Sequence, residues 1–134
     1  MAPEKVNAVP WDADRLAALQ PAVDANPWGP LAAADEIFRG DHLFEFESGH
    51  QRALIVVRPV QFRQGRRLDL IALRSEGDRL SAAALDRAVM KIAAGFDADL
   101  LAMCTQVPHV LKSCLRHNWM VTGAVALKVV KNGQ

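Results

Sequence analysis

The chain has 134 residues, of which 51% are hydrophobic and 23% are charged, and its formal net charge is +1 at neutral pH. This length and composition suit a single folded domain spanning residues 1–134 and exclude a disordered or strongly basic chain. No apolar run approaches the ~20 residues of a transmembrane helix, and no hydrophobic signal segment follows Met1. We therefore expect a cytoplasmic protein that does not bind membranes.

The first half of the chain predicts two short helices followed by a strand. The first helix begins near Asp12, which can cap it, and Pro21 disturbs whatever follows. The second helix runs from Pro30 to Gly40. Apolar and polar residues then alternate over residues 42–47, which is typical of a half-buried strand. This alternation puts two aromatic residues on one face, Phe44 and Phe46, and three residues on the other, Leu43, Glu45 and Glu47.

The middle of the chain predicts two further strands. A continuous β-branched run at residues 53–57 is typical of a strand covered on both faces. Pro59 would remove a ladder hydrogen bond, so we expect a bulge or an edge position near it. Residues 64–66 predict a hairpin turn into a strand over residues 68–73, and residues 74–78 predict a polar loop.

The last part of the chain predicts alternating helices and strands. Ser81 caps a helix whose apolar stripe ends near Phe96. A buried strand follows at residues 100–104, then a helix that Pro108 opens, and closing strands at residues 119–121 and 124–130. Helix crossovers imply a parallel strand pair and the hairpin implies an antiparallel one, so the sheet is mixed. The sequence predicts an α/β (α+β) domain with about six strands flanked by about four helices.

The cysteine and histidine residues do not have the spacing of metal ligands. Cys104 and Cys114 fall on different predicted elements, so we expect reduced thiols rather than a disulfide or a zinc framework. His109 and His117 are eight residues apart around the last helix, whereas helical metal pairs usually have a spacing of about four residues. We expect no bound metal.

Charge is divided unevenly along the chain. Residues 1–50 contain nine acidic and three basic residues, whereas residues 51–134 contain six acidic and thirteen basic ones. Six arginines lie between positions 52 and 74, opposed only by Asp69: Arg52, Arg58, Arg63, Arg66, Arg67 and Arg74. They could hold an anion, they could pair with the acidic first part of the chain, or they could be solvated strand positions. Nucleic-acid binding is the least favoured interpretation, because aromatic residues are not interleaved with these arginines.

This order of elements resembles the GNAT superfamily of acyl-CoA N-acyltransferases, in a degenerate form. The segment Leu-Lys-Ser-Cys-Leu-Arg-His-Asn-Trp at residues 111–119 is similar to the family's last helix and the corner that follows it. Residues 118–119 are Asn-Trp where the family usually has Gly-Phe. The segment Ser-Ala-Ala-Ala-Leu at residues 81–85 looks like the start of the helix that receives the coenzyme A pyrophosphate. The brevity of the chain also resembles small phage-encoded proteins of this fold.

The resemblance implies a site for acetyl-CoA or another acyl-CoA. The implied cofactor-binding residues run from the end of one strand to the start of the helix: Leu73, Arg74, Gly77, Arg79, Ser81 and Ala82. A diphosphate binds at a helix amino terminus because free backbone N–H groups and the positive end of the helix dipole converge there. The family's Arg or Gln followed by Gly-x-Gly or Gly-x-Ala is missing, and Glu76 and Asp78 bring negative charge to the same loop. An ordinary capped helix is the alternative interpretation.

The resemblance also implies an acid on the last helix that protonates the departing thiolate. Many members use a tyrosine there; this chain has none, and Cys114 occupies that position. A thiol can donate a proton, but a cysteine on the apolar side of a helix is also an ordinary core residue. Glu45 is the candidate general base for the amine substrate, or else one of the many glutamates exposed on strands.

Two functions of different classes follow from the sequence. The first is an acyl-CoA-dependent N-acyltransferase whose partners are a CoA thioester and an amine. The second is a non-catalytic accessory or structural protein with the same fold that acts through protein–protein contacts. The resemblance to small phage proteins would place it in the host cytoplasm or the virion. In the second case Trp11 and Trp28, both next to prolines, could anchor a partner, although both are equally suited to cover the core.

Overall fold

The computed structural model describes residues 4–24, 34–77 and 81–103, together with Arg116 and Trp119. Eight elements occur in this part of the chain. In order they are β1 (Lys5–Ala8), α1 (Ala13–Asp24), α2 (Ala34–Ile37), β2 (His42–Ser48), β3 (Gln51–Phe62), β4 (Gly65–Gly77), α3 (Ala82–Gly95) and β5 (Leu100–Met103).

The five strands form one mixed sheet in the order β1-β2-β3-β4-β5. The first three pairings are antiparallel, and β4 pairs with β5 in parallel, since α3 connects them as a crossover. The predicted fold class is thereby confirmed. The eight elements comprise five strands and three helices. Of the helix expected after Pro108 only Arg116 is described, and it is helical; of the strand expected at residues 119–121 only Trp119 is described, and it is not in a strand. The strand expected at residues 124–130 lies outside the described residues.

One face of the sheet, the α3 face, packs against α3. Its core is fully apolar, because alternate residues of β2, β3 and β4 meet the small residues along α3. The buried members are Phe46, Ala53, Ile55, Val57, Leu68, Ala84, Ala88, Ile92 and Ala93. Ser81 caps α3 as predicted, with its hydroxyl oxygen accepting the Ala84 N–H at 3.1 Å. Glu4, just before β1, accepts a hydrogen bond from Arg87 Nε at 3.2 Å and so joins the sheet edge to α3.

The opposite face, the α1 face, packs against α1 and α2. Its buried residues are Leu19, Val23, Phe38, Leu43, Leu54 and Val56. Asp12 caps α1 as predicted, with its carboxylate accepting the Arg15 N–H at 2.7 Å. The helix continues past Pro21 to Asp24, since Leu19 and Val23 on either side of the proline are both buried in this core. The expected disturbance at Pro21 is therefore wrong.

An ion pair between a buried carboxylate and a half-exposed arginine ties the end of α2 to the sheet on the α1 face. The Asp41 side chain is 1% exposed and accepts two hydrogen bonds from Arg58, at 2.7 and 2.9 Å. This hydrogen bonding raises the pKa of the Arg58 guanidinium above its usual value. Trp11 donates its indole N–H to the Asp41 carbonyl at 2.9 Å and stacks on Phe38. Trp11 therefore covers the core, one of its two predicted roles, whereas Trp28 lies outside the described residues.

Two strand predictions need correction. Strand β1 was not expected from the sequence. Residues 74–77, expected to form a polar loop, continue β4 because Gln51–Leu54 of β3 lie opposite them and complete the ladder. The expectation for Pro59 is confirmed: β2 pairs with β3 only as far as Val57, so Pro59 faces an open edge on that side. Gly40 follows α2 with a φ of +79°, as a helix-ending glycine requires.

Candidate functional site

A bulge in β4 marks the start of the candidate cofactor site. Val56 lies opposite Ala72 and Val57 lies opposite Leu70, so Ile71 is an extra residue in β4. Ile71 and Ala72 both pack towards the α1-face core, as adjacent residues in a bulge do. The described pairing of β4 with β5 ends at Leu70 opposite Met103. Ile71 therefore lies between the stretch of β4 that pairs with the described part of β5 and the stretch that leads towards α3.

The predicted cofactor residues follow this bulge along β4 and into α3. Leu73 packs on the α3-face core, whereas Arg74 lies on the opposite face and is exposed. Gly77 is the last residue of β4, and Ser81 and Ala82 form the exposed start of α3. The structure thus arranges five of the six residues along one strand-to-helix connection. Arg79 lies outside the described residues.

The amino terminus of α3 has the features that a phosphate group needs. Ala82 and Ala83 are exposed, their side chains are small, and the first turn has no acidic residue. Backbone N–H groups in a first turn have no carbonyl partner within the helix, and the helix dipole adds partial positive charge. The Ser81 hydroxyl oxygen already accepts the Ala84 N–H. The first turn of α3 therefore fits a diphosphate that would be bound mainly by backbone N–H groups.

A cleft of about 380 Å³ lies on the α1 face, beside the amino terminus of α1. We call it the α1-face cleft. It is partly open to solvent, and its lining is mixed polar and apolar. Six ionisable side chains line it, supplied by α1, by the residue before α1, and by strands β2, β3 and β4. These are Asp12, Asp14, Arg15, Glu45, Arg52 and Glu76. Four carboxylates against two guanidinium groups favour a cationic ligand.

Glu45, the predicted general base, lies in this cleft. Its Oε1 accepts a hydrogen bond from Arg52 Nη2 at 2.9 Å, and Arg15 Nη2 lies 3.6 Å from its Oε2. Partial burial raises the pKa of the Glu45 carboxyl, but pairing with Glu47 and Arg52 and the charge of Arg15 outweigh this effect. The pKa of Glu45 is consequently below its usual value, and the side chain is a paired carboxylate. Cys114, the predicted acid, lies outside the described residues.

Three of the six arginines in the arginine-rich segment form ion pairs within the chain. Arg52 pairs with Glu45 and Glu47, and Arg58 pairs with Asp41, so the acidic first part of the chain does pack against these two arginines. Arg67 pairs with Asp69 beside it in β4. Arg66 donates to Gln61 at 2.9 Å and to the Phe96 carbonyl. These contacts favour internal pairing over a dedicated anion site.

Sequence reasoning missed four charged members of the cleft. Asp12 was expected only as a helix cap, and Asp14, Arg15 and Glu76 had no assigned role near Glu45. The alternation of β2 placed Glu45 on the correct face, but bringing α1 over that face depends on contacts between distant parts of the chain. One sequence signal pointed to this group. Asp12 was recognised as the cap of α1, and the capped amino terminus of α1 is the end that borders the cleft.

The described residues show neither a metal site nor a membrane-spanning helix. In this part of the chain, no three His, Cys, Asp or Glu side chains are close enough together to hold a metal ion. Of the helices described, none is both long and apolar enough to cross a membrane.

Solved structures share this fold over nearly their whole length. One described as a probable acetyltransferase superposes with a TM-score of 0.57 at 9% identity, covering 97% of this chain and 99% of that one. Aminoglycoside N-acetyltransferase AAC(6')-Iy in complex with CoA gives a TM-score of 0.53 at 14% identity, with coverage of 98% and 97%. A point mutant of TTHA1254 from Thermus thermophilus gives 0.53 at 19% identity, with coverage of 96% and 99%.

The fold is therefore GNAT-like. Neither protein-family models nor curated proteins match this sequence. At such low identities the structural likeness establishes the fold alone, and an activity has to be argued from the site.

Proposed function

We propose that this protein is an acyl-CoA-dependent N-acyltransferase, with acetyl-CoA or another acyl-CoA as the donor and an amine as the acceptor. The observation that carries the proposal is the bulge at Ile71, the extra residue of β4 that interrupts its register with β3. A bulge bends its strand and disrupts the ladder, which favours a gap beside β4 beyond this point. Strand β4 then leads to the amino terminus of α3, so such a gap would end at a phosphate-binding position.

The donor would lie along the second half of β4. Leu73 and Gly77 would border its extended arm, and the exposed first turn of α3 at Ala82 and Ala83 would face its diphosphate. Arg74 and Arg79 remain the proposed cationic partners of the phosphates. CoA supplies the activated thioester, and these residues hold it and leave its carbonyl next to the α1-face cleft.

The acceptor would reach the thioester from the opposite face of the sheet. Helix α3 covers one face, and the α1-face cleft opens on the other. The excess of carboxylates in this cleft suits a protonated amine. Glu45 would take the proton from the attacking nitrogen, since the amine must be neutral to form a bond with carbon.

Glu45 could reach the acceptor amine through one bridging water molecule. It lies opposite Leu54, which in turn lies opposite Arg74, so it is two strands away from β4. Two strand spacings correspond to about 10 Å between backbones, which the glutamate side chain, the acceptor amine and a bridging water can span. Protonation of the departing thiolate is assigned to Cys114 only through the family resemblance.

A pair of matched variants tests the donor site. Ala83→Glu puts a carboxylate in the first turn of α3, where it stabilises the helix by about 0.3–1 kcal/mol but repels a diphosphate. Ala94→Glu makes the same change at an exposed position in the last turn of the same helix. By calorimetry, acetyl-CoA and desulfo-CoA should bind to the wild type and to Ala94→Glu with micromolar affinity. Ala83→Glu should lose this binding without a lower melting temperature.

The same titration decides between the two functions. An accessory or structural protein of this fold, phage-encoded or not, does not need to bind coenzyme A. Absence of binding to the wild type at millimolar acetyl-CoA would contradict the proposed enzyme and favour that alternative.

A further inference from the structure

Two arginines cover the Glu45 carboxylate in the α1-face cleft, and they differ in exposure. The Arg52 side chain is 55% exposed, that of Arg15 is 26% exposed, and that of Glu45 is only 17% exposed. Arg15 is also held by Asp12 at 2.8 Å and by the Pro10 carbonyl at 3.1 Å. Arg52 is therefore the partner that can leave Glu45 most easily.

Arg52 has other carboxylates within reach when it leaves. It lies directly opposite Glu47 on β2 and directly opposite Glu76 on β4. Directly opposed residues on neighbouring strands project from the same face and have Cβ atoms about 4.5–5.5 Å apart. Arg52 already donates a hydrogen bond to Glu47 at 3.2 Å. Moving away from Glu45 thus exchanges one carboxylate for another and leaves no unpaired charge.

A protonated amine is the natural replacement for the Arg52 guanidinium. An ammonium group is compact, carries the same charge, and has three N–H donors that can reach the Glu45 carboxylate. With Arg52 moved to Glu47 and Glu76, the Glu45 carboxylate and the nearby Asp14 remain to face the ligand. Exposed ion pairs contribute little to stability, so this exchange of partners is close to neutral.

We propose that Arg52 guards Glu45: it pairs with this carboxylate in the free protein, and a protonated amine of the acceptor displaces it towards Glu47 and Glu76. This inference rests on the proposed function, in which Glu45 receives the acceptor amine. Arg52 is a positioning residue in this scheme. It keeps Glu45 ionised and in place before the acceptor arrives, and it does not touch the reacting atoms.

A double-mutant cycle tests the guard with butane-1,4-diamine as the probe. Arg52→Met removes the guard, Glu45→Gln removes the carboxylate that it covers, and the double variant combines the two changes. Diamine binding is measured by calorimetry without any acyl-CoA. We expect Arg52→Met to bind the diamine about five-fold more tightly than the wild type, because the diamine no longer competes with an exposed ion pair.

Measuring the effect of Arg52→Met in the Glu45→Gln background shows whether Arg52 acts by covering Glu45 or only by adding positive charge to the cleft. We expect Arg52→Met to give no tightening there, because no carboxylate is left to uncover. Equal tightening in both backgrounds would overturn the inference, and so would weaker binding in Arg52→Met. In the wild type, the side-chain Nε–H resonance of Arg52 should shift on saturation with the diamine, and a static resonance would also contradict the exchange.

The result is independent of the donor site. If acetyl-CoA binds as proposed but none of the four proteins binds the diamine, the guard is wrong and the proposed function stands. If the diamine cycle behaves as expected but acetyl-CoA does not bind, the acyltransferase proposal is wrong. Arg52 is exposed, so Arg52→Met should fold normally, and its melting temperature provides the check.

Discussion

The two faces of the sheet are built differently. The α3 face is apolar along β2, β3 and β4, and small residues of α3 lie against it. The α1 face is apolar near α2 but changes to charged residues where β2, β3 and β4 pass the amino terminus of α1. Both faces belong to the same strands, so the alternation of side chains gives the two surfaces separate compositions. One face is apolar throughout its core, while part of the other is charged and reaches solvent.

This difference explains where polar groups sit in the protein. Among the described side chains, no buried polar atom lacks a hydrogen-bond partner. On the α1 face the buried Asp41 is matched by Arg58, whereas the open cleft holds carboxylates that water or a ligand can reach. We therefore expect substitutions on the α3 face to act on stability, and substitutions in the cleft to act mainly on binding.

The largest expected effect is in the α3-face core. Phe46 is fully buried, so Phe46→Ala removes a large apolar contact and leaves a cavity, at a cost of about 3–5 kcal/mol. Phe62 is 50% exposed at the end of β3, and Phe62→Ala should cost less than about 1 kcal/mol. Urea unfolding measures both. Similar losses for the two variants would show that the α3 face is not the main source of stability.

The next effect concerns the polar anchor on the α1 face. Asp41→Ala leaves Arg58 without its carboxylate partner and should destabilise the fold by about 2–4 kcal/mol. Asp69→Ala breaks the more exposed pair with Arg67 and should cost less than about 1 kcal/mol. Thermal unfolding of both variants compares them directly. An Asp41→Ala loss no larger than that of Asp69→Ala would refute the anchor.

The smallest expected effect is on the pH dependence of stability, through Glu45 in the α1-face cleft. Because the folded-state pKa of Glu45 is lowered, its contribution to stability is present above its unfolded pKa of about 4.3 and disappears as the pH falls through the folded value. Glu45→Gln should therefore be less stable than the wild type near neutral pH, by less than about 1 kcal/mol. The difference should vanish in acid. A difference that grows as the pH falls would contradict the assigned direction.

Local signals predicted much of the fold. Alternation over residues 42–47 identified β2 and its two faces, the apolar run at residues 53–57 identified β3, and Asp12 and Ser81 were correctly placed as caps. Each of these depends on residues near one another in the sequence. The strand-to-helix connection at the end of β4 was also located, although its strand extends four residues further than predicted.

The errors arise where distant parts of the chain decide the structure. Strand β1 is short and mostly exposed, so it has no apolar pattern, and it forms because Phe44–Glu47 offer a free edge. Residues 74–77 are polar, but the opposing β3 completes their ladder. Likewise the Asp41–Arg58 pair and the α1-face cleft join residues that only the folded chain brings together. Periodicity carries no information about such contacts.

The central claim is that the donor lies beside β4 beyond Ile71 and ends at α3. Backbone amide NMR during a titration with acetyl-CoA tests it most directly. Our account predicts saturable shifts at Ala72–Gly77 and at Ala82–Ala84, with little change at Lys5–Ala8 on the far edge of the sheet. Unchanged resonances at saturating ligand, or shifts confined to residues outside these two segments, would contradict it.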